Sequence, residues 1–168
     1  MLEIKGFITN LGKYNEGDLV GEWVTFPVSD EELAEVLQRI GINEQYEEFF
    51  FTDWESAFRI DLDEYENIET VNELAEQLEN WDEDTLKAAC EIWGFSDIAL
   101  QYPEDYHLYS GVDDDEALGY YFADTLGYVD FDNNDVLERY FDYEAYGRDC
   151  RINSDGGFTT YGYIEYLG

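Results

Sequence analysis

The excess of carboxylates is nearly uniform along this chain, and that uniformity limits what the chain can fold into. Residues 1–61, 62–105 and 106–168 carry net charges of −10, −13 and −11, drawn from 42 acidic and 8 basic residues. No acidic tail holds the excess, so every element must present carboxylates to water while burying an apolar face. Hydrophobic residues (45%) and aromatics (18%) are plentiful enough to build such faces. A disordered acidic segment lacks that content and cannot offset its chain entropy. Self-repulsion among 34 net negative charges destabilises a compact state. Roughly 2–8 charges keep a small domain soluble, so this charge serves something beyond solubility.

Duplex DNA gives the scale. It carries one phosphate per ~1.7 Å of axis, so the 34 charges match ~58 Å of duplex. A globule of 168 residues has a diameter of about 40 Å. The surface is charged at least as densely as DNA, and an elongated shape matches it better. Eight dispersed bases cannot form the basic footprint that nucleic-acid binding needs.

Hydrophobic periodicity gives an α+β chain in three parts, 1–61, 62–103 and 104–168; the length suits one or two ordinary domains, or three very small domains made of these parts. In the first, residues 2–9 and 20–28 read as strands, with Asn10 to Asp18 (NLGKYNEGD) as the loop between them. Ser29 and Glu32 form a capping box for a helix with Leu33, Val36, Leu37 and Ile40 at helical spacing, stopped by Gly41. Residues 46–54 give a third strand, completing an antiparallel sheet plus helix. The second domain is helical. Thr70 and Glu73 form another capping box, Val71, Leu74, Ala75 and Leu78 face inward, and Glu69, Glu73, Glu76 and Glu79 face outward. Asp82 begins a second helix carrying Leu86, Ala89, Cys90 and Trp93, ended by Gly94, and a helical turn follows from Ile98 to Tyr102. The third domain is α+β: a strand over 106–112, a helix from the run Asp113 to Glu116 to about Thr125, and a helix from Asn133 or Asn134 to Tyr146 stopped by Gly147. A hairpin then turns at Asp155-Gly156-Gly157.

Helical positions three or four apart place their Cβ atoms ~5–6 Å apart. The ladder Glu69, Glu73, Glu76, Glu79 thus resembles neighbouring phosphates on one strand. A solvated helix face is the ordinary alternative, but such faces normally mix in lysines and this one has none. For the run at Asp113 to Glu116, stabilisation of a helix N-terminus is a sufficient local explanation.

Catalytic and metal motifs fail on inspection. His107 is the one histidine, and with Ser110 it falls on opposite sides of a strand. One His and two Cys sixty positions apart do not make a zinc site. Gly12-Lys13 lacks the earlier glycine and following hydroxyl of a phosphate loop. Asp130, Asp132 and Asn134 open like a calcium loop, but Asp135 and Phe141 occupy the positions needing glycine and glutamate. No enzyme activity, cofactor or metal is expected. Cys90 reads as core. Cys150, between Arg148 and Arg151, sits where a thiol pKa can fall, although a reduced structural thiol is the favoured reading. The start of the chain lacks a basic stretch followed by an apolar one, and no apolar run approaches ~18 residues. A cytoplasmic protein without membrane association is expected.

Two segments resemble the ArdA antirestriction proteins. Asn10 to Gly17 (NLGKYNEG), continued by Leu19-Val20-Gly21, resembles that family's amino-terminal signature. Leu108-Tyr109-Ser110-Gly111-Val112, with Asp114-Asp115-Glu116-Ala117-Leu118-Gly119-Tyr120-Tyr121, resembles its antirestriction motif. The resemblance implies an elongated three-domain monomer that dimerises through its carboxy-terminal domain and imitates bent duplex DNA. It implies occupation of the DNA-binding methyltransferase core of type I restriction-modification enzymes, and genes carried on conjugative plasmids and transposons. Candidates for the mimetic surface are Asp30, Glu31, Glu35, Glu69, Glu73, Glu76, Glu79, Asp82, Glu83 and Asp84, with Asp114, Asp115 and Glu116. The motif's aromatic and small residues are the candidates for homodimer packing, with burial inside one subunit as the other reading. Two further classes fit the composition: a housekeeping domain of a high-salt cell, and an acidic enzyme or cation buffer.

Overall fold

The computed structural model describes residues 2–98 and 102–168. It is mixed α+β with two small antiparallel sheets. Its contacts gather into two compact units, one from Met1–Glu83 with Gly94–Gln101 and the other from Asp84–Trp93 with Tyr102–Gly168. The segment 62–103 contributes to both.

In the first unit, β1 (Ile4–Asn10) runs antiparallel to both β2 (Gly21–Phe26) and β3 (Phe49–Ser56) in the order β2-β1-β3. Ile4, Gly6 and Ile8 are buried at alternate positions, opposite Phe26, Val24 and Glu22 of β2, as the two-residue strand period requires. Between β1 and β2 the expected loop is instead a short helix, α1 (Leu11–Asn15). Asn10 caps it by accepting from the Lys13 amide at 3.0 Å, while its Nδ2 donates to the Ile40 carbonyl at 3.1 Å. A buried Asn between two elements reads as a turn in sequence because the same side chain serves both structures. The helix α2 (Asp30–Arg39) starts at Ser29, whose hydroxyl accepts from Glu32 N, and buries Val36. Ile40 just beyond it is buried too, and Gly41 at φ +81° ends the turn.

The helix α3 (Ile68–Gln77) is capped three residues before the expected Thr70, because Asn67 accepts from both Glu69 N and Thr70 N. Asn is as good a cap as Thr. Its inward residues Val71, Leu74 and Ala75, with Leu78 in the following 3-10 turn, are all buried. The helix α4 (Glu83–Ile92) buries Leu86, Ala88, Ala89 and Cys90, and Gly94 follows at φ +84°. Of the turn expected from Ile98 to Tyr102, residues 99–101 lie outside the described residues. Ile98 itself ends the short α5 (Phe95–Ile98).

In the second unit, β4 (Tyr106–Ser110), β5 (Asp155–Thr159) and β6 (Gly162–Tyr166) form a sheet in the order β4-β6-β5. Against it lies a core of Tyr109, Val112, Leu118, Phe122 and Tyr163. The helix α6 (Asp115–Tyr120) continues as a π turn over Tyr121–Thr125. The single helix expected up to Tyr146 is two. Asn134 caps α7 (Asp135–Arg139), and Asp142 starts α8 (Tyr143–Ile152) by accepting from Ala145 N. Gly147 does not stop a helix; it lies in the middle of α8 where α6 crosses. Asp155-Gly156-Gly157 is likewise strand rather than turn. A Cβ on Gly156 would come within 2.2 Å of the Ile164 carbonyl oxygen, so glycine there permits close strand approach. The hairpin reverses instead at Thr160-Tyr161, ahead of Gly162 at φ +128°.

Candidate functional site

Two helices of the first unit carry six of the thirteen expected surface carboxylates. On α2, Asp30, Glu31 and Glu35 are exposed. Arg39 closes that helix, donating to Glu22 through Nε at 2.9 Å and Nη2 at 2.8 Å, with Nη1 3.6 Å from Glu35. The guanidinium hydrogen-bonded to Glu22 holds that carboxyl below its ordinary value. Arg39 therefore neutralises the far end of α2 and leaves Asp30 and Glu31, one helix length away, to face solvent.

On α3, Glu69, Glu73 and Glu76 are exposed, and Glu79 extends the row through the 3-10 turn. Like charges at this spacing weaken a helix by about 1 kcal/mol over three pairs. Burying Val71, Leu74 and Leu78 returns ~1.5–3 kcal/mol each, so packing wins and the charged face is held rigid. Asn72 fixes where that face lies. Its Oδ1 accepts from Val28 N at 2.7 Å and its Nδ2 donates to Val28 O at 2.9 Å. Val28 immediately precedes the cap of α2, so this two-bond clamp ties the middle of α3 to the beginning of α2.

The remaining candidates divide. Asp82 and Glu83 belong to the first unit and Asp84 to the second, with Asp82 and Asp84 exposed and Glu83 half-buried. Asp114 caps α6 by accepting from Ala117 N at 2.8 Å, and Glu116 is exposed. Asp115 is not an unpaired surface charge, because Arg151 grips both its oxygens, at 2.7 and 3.0 Å. That bond holds the Asp115 carboxyl below its ordinary value and raises Arg151.

The resemblance motif in the second unit is partly structural. Tyr109, Val112, Leu118 and Gly119 are buried within their own unit. The Tyr109 hydroxyl donates to Glu165, and burial, followed by this bond, raises the phenol far above its ordinary value. Ser110, Gly111 and Tyr120 are exposed, and Leu108, Ala117 and Tyr121 are half-buried. Cys150 is a free, half-buried thiol without the lowered pKa that flanking arginines could give: burial pushes it up, and the hydrogen bond with Tyr146 only partly opposes this.

Sequence reasoning missed a groove of about 610 Å³ in the first unit. Asp30, Glu64, Glu66 and Glu69 lie around it, over Phe49, Phe50, Tyr65 and Ile68. The only sequence signal was the density of acids in 61–69 (DLDEYENIE), a stretch with no periodicity to attract attention. Among the described residues no group of His, Cys, Asp or Glu is arranged to hold a metal ion, and no helix is long and apolar enough to cross a membrane.

Rigid, exposed carboxylates on packed helices define a class: a polyanionic α+β protein whose surface is suited to cationic groups. The family model described as antirestriction protein (ArdA) matches residues 6–165, and the chain belongs to that family. Membership carries antirestriction function and interaction with restriction-modification enzymes, as an inhibitor. No curated protein matches the chain.

Proposed function

We propose that this antirestriction protein is a DNA mimic, a stoichiometric inhibitor that occupies the DNA-binding groove in the methyltransferase core of a type I restriction-modification enzyme. Lysines and arginines that normally grip phosphates meet the carboxylates of α2 and α3 instead. The observation that carries this reading is the row Glu69, Glu73, Glu76 and Glu79, exposed, free of interleaved bases and backed by a buried apolar face. The clamp from Asn72 to Val28 supports it by holding that row in fixed relation to Asp30 and Glu31. A homodimer is part of the reading. Its candidate face combines exposed motif residues Ser110, Gly111 and Tyr120 with Val136, Leu137 and Tyr140, which are 58%, 57% and 81% exposed. The cell compartment is the cytoplasm, where the target works.

Fluorescence anisotropy of labelled duplex on a type I methyltransferase tests the mimicry. Adding the protein at about 50 mM salt displaces the duplex near one equivalent, and displacement weakens towards about 200 mM as charges are screened. Retention of the duplex at low salt under excess protein sinks the proposal.

A further inference from the structure

We propose that the groove between β3 and the start of α3 receives an arginine side chain of the target enzyme, anchoring a contact that is otherwise spread over many weak charges. This deepens the mimic reading above and rests on it.

The groove differs from the rest of the acidic surface in having an aromatic lining. Phe50 is 6% exposed, and Tyr65, 61% exposed, stacks on it with ring centroids 5.9 Å apart and planes 26° apart. Core packing explains Phe50 and leaves the outer face of Tyr65 open. Around this wall stand Asp30, Glu64, Glu66 and Glu69, none of which pairs with a basic side chain among the described residues. The N-termini of α2 and α3 each contribute about half a positive charge. Four carboxylates outweigh that sum by about three units, so the groove attracts a cation.

The lining selects which cation. A guanidinium is planar, weakly hydrated and able to lie on an aromatic face while its fork of donors meets carboxylates. A lysine ammonium is strongly hydrated and gains only the point-charge attraction. An aromatic or aliphatic side chain would strip water from the carboxylates without replacing it. The site is also organised in advance. Asp63 Oδ1 accepts from Tyr65 N at 2.8 Å, and the Glu64 carbonyl accepts from Phe51 N at 2.7 Å, pinning the loop to β3. Little ordering remains to oppose binding.

The test titrates the isotope-labelled full chain with N-acetyl-arginine methylamide and, separately, with its lysine counterpart, following backbone amide shifts. The arginine probe shifts the amides of 49–51 and 64–69 saturably, and the lysine probe binds at least about fivefold more weakly. Tyr65→Leu removes that preference without changing the charge. In the displacement assay it raises the half-inhibitory concentration about tenfold, the effect of losing an interface anchor, at unchanged salt dependence. Shifts spread evenly over the acidic surface, equal binding of both probes, or a Tyr65→Leu variant that inhibits like the parent would each overturn the groove proposal alone. Failure of the parent protein to displace duplex overturns the mimic reading and the groove proposal with it.

Discussion

Asp115 illustrates how one side chain leaves the surface field. Its two oxygens take parallel bonds from Arg151, whose guanidinium also lies 5.7 Å from the centre of the Phe158 ring. The fork geometry adds specificity to charge, and the pair ties the head of α6 to the last turn of α8. Because the folded carboxyl releases its proton more readily than the unfolded one, the pair's contribution is complete above the unfolded pKa of about 3.9. It disappears as pH falls through the lower folded value. Asp115→Asn should therefore lower the melting temperature by a few degrees at pH 7, and the gap from the parent should close as pH falls below about 3.9 and through the lower folded value. Thermal unfolding of both proteins across pH checks this, since protonation of the other carboxylates affects both alike. A gap that persists at low pH assigns the effect to packing. Sequence shows that the run Asp113 to Glu116 opens a helix, because that signal is local, without singling out Asp114 as the cap. It cannot show that Asp115 is neutralised, since the partner lies 36 positions away.

The crossing of α6 and α8 carries the same lesson at the scale of elements. A Cβ on Gly119 would come within 1.9 Å of the Tyr143 carbonyl oxygen, and one on Gly147 within 1.8 Å of that of Asp115. Each helix thus presents a glycine where the other's backbone passes, and neither obstacle is a flexible side-chain tip. Gly119 in the Leu118-Gly119-Tyr120 stretch of the motif has its explanation here. Overpacking normally costs ~1–3 kcal/mol. With backbone as the obstacle, Gly147→Ala and Gly119→Ala should each cost about 3 kcal/mol or more. Urea unfolding at equilibrium measures it, and a loss under about 0.5 kcal/mol would show that the crossing is loose. The amphipathic elements were legible, since α3 and α4 bury most of the faces their spacing predicts, and α2 buries Val36 with Leu33 and Leu37 half-buried beside it. Gly147 and Gly156-Gly157 were not. A glycine's close approach depends on a partner element, whereas sequence offers only its local role as helix stop or turn.

For the whole molecule, the charge was legible from composition, but the groove was not, because its lining comes from residues 30 to 72 across two helices, a strand and a loop. The two features separate experimentally. Glu73 and Glu76 on α3 and Glu79 in the 3-10 turn after it stand outside the groove, so changing them together to glutamine alters the field and leaves the anchor intact. Glutamine has nearly the helix propensity of glutamate, and all three like-charge pairs of the row are relieved, worth about 1 kcal/mol. The triple variant should therefore melt about 2–4 °C higher than the parent. Its inhibition should move the opposite way, weakening by about tenfold or more at low salt, with a shallower dependence on ionic strength. Any single member of the set should cost less than about fivefold, as expected for exposed charges. Opposite signs in stability and inhibition are the signature of a face kept charged for its partner. A triple variant that gains stability and displaces duplex as well as the parent would mean that the mimetic ridge lies elsewhere on the molecule.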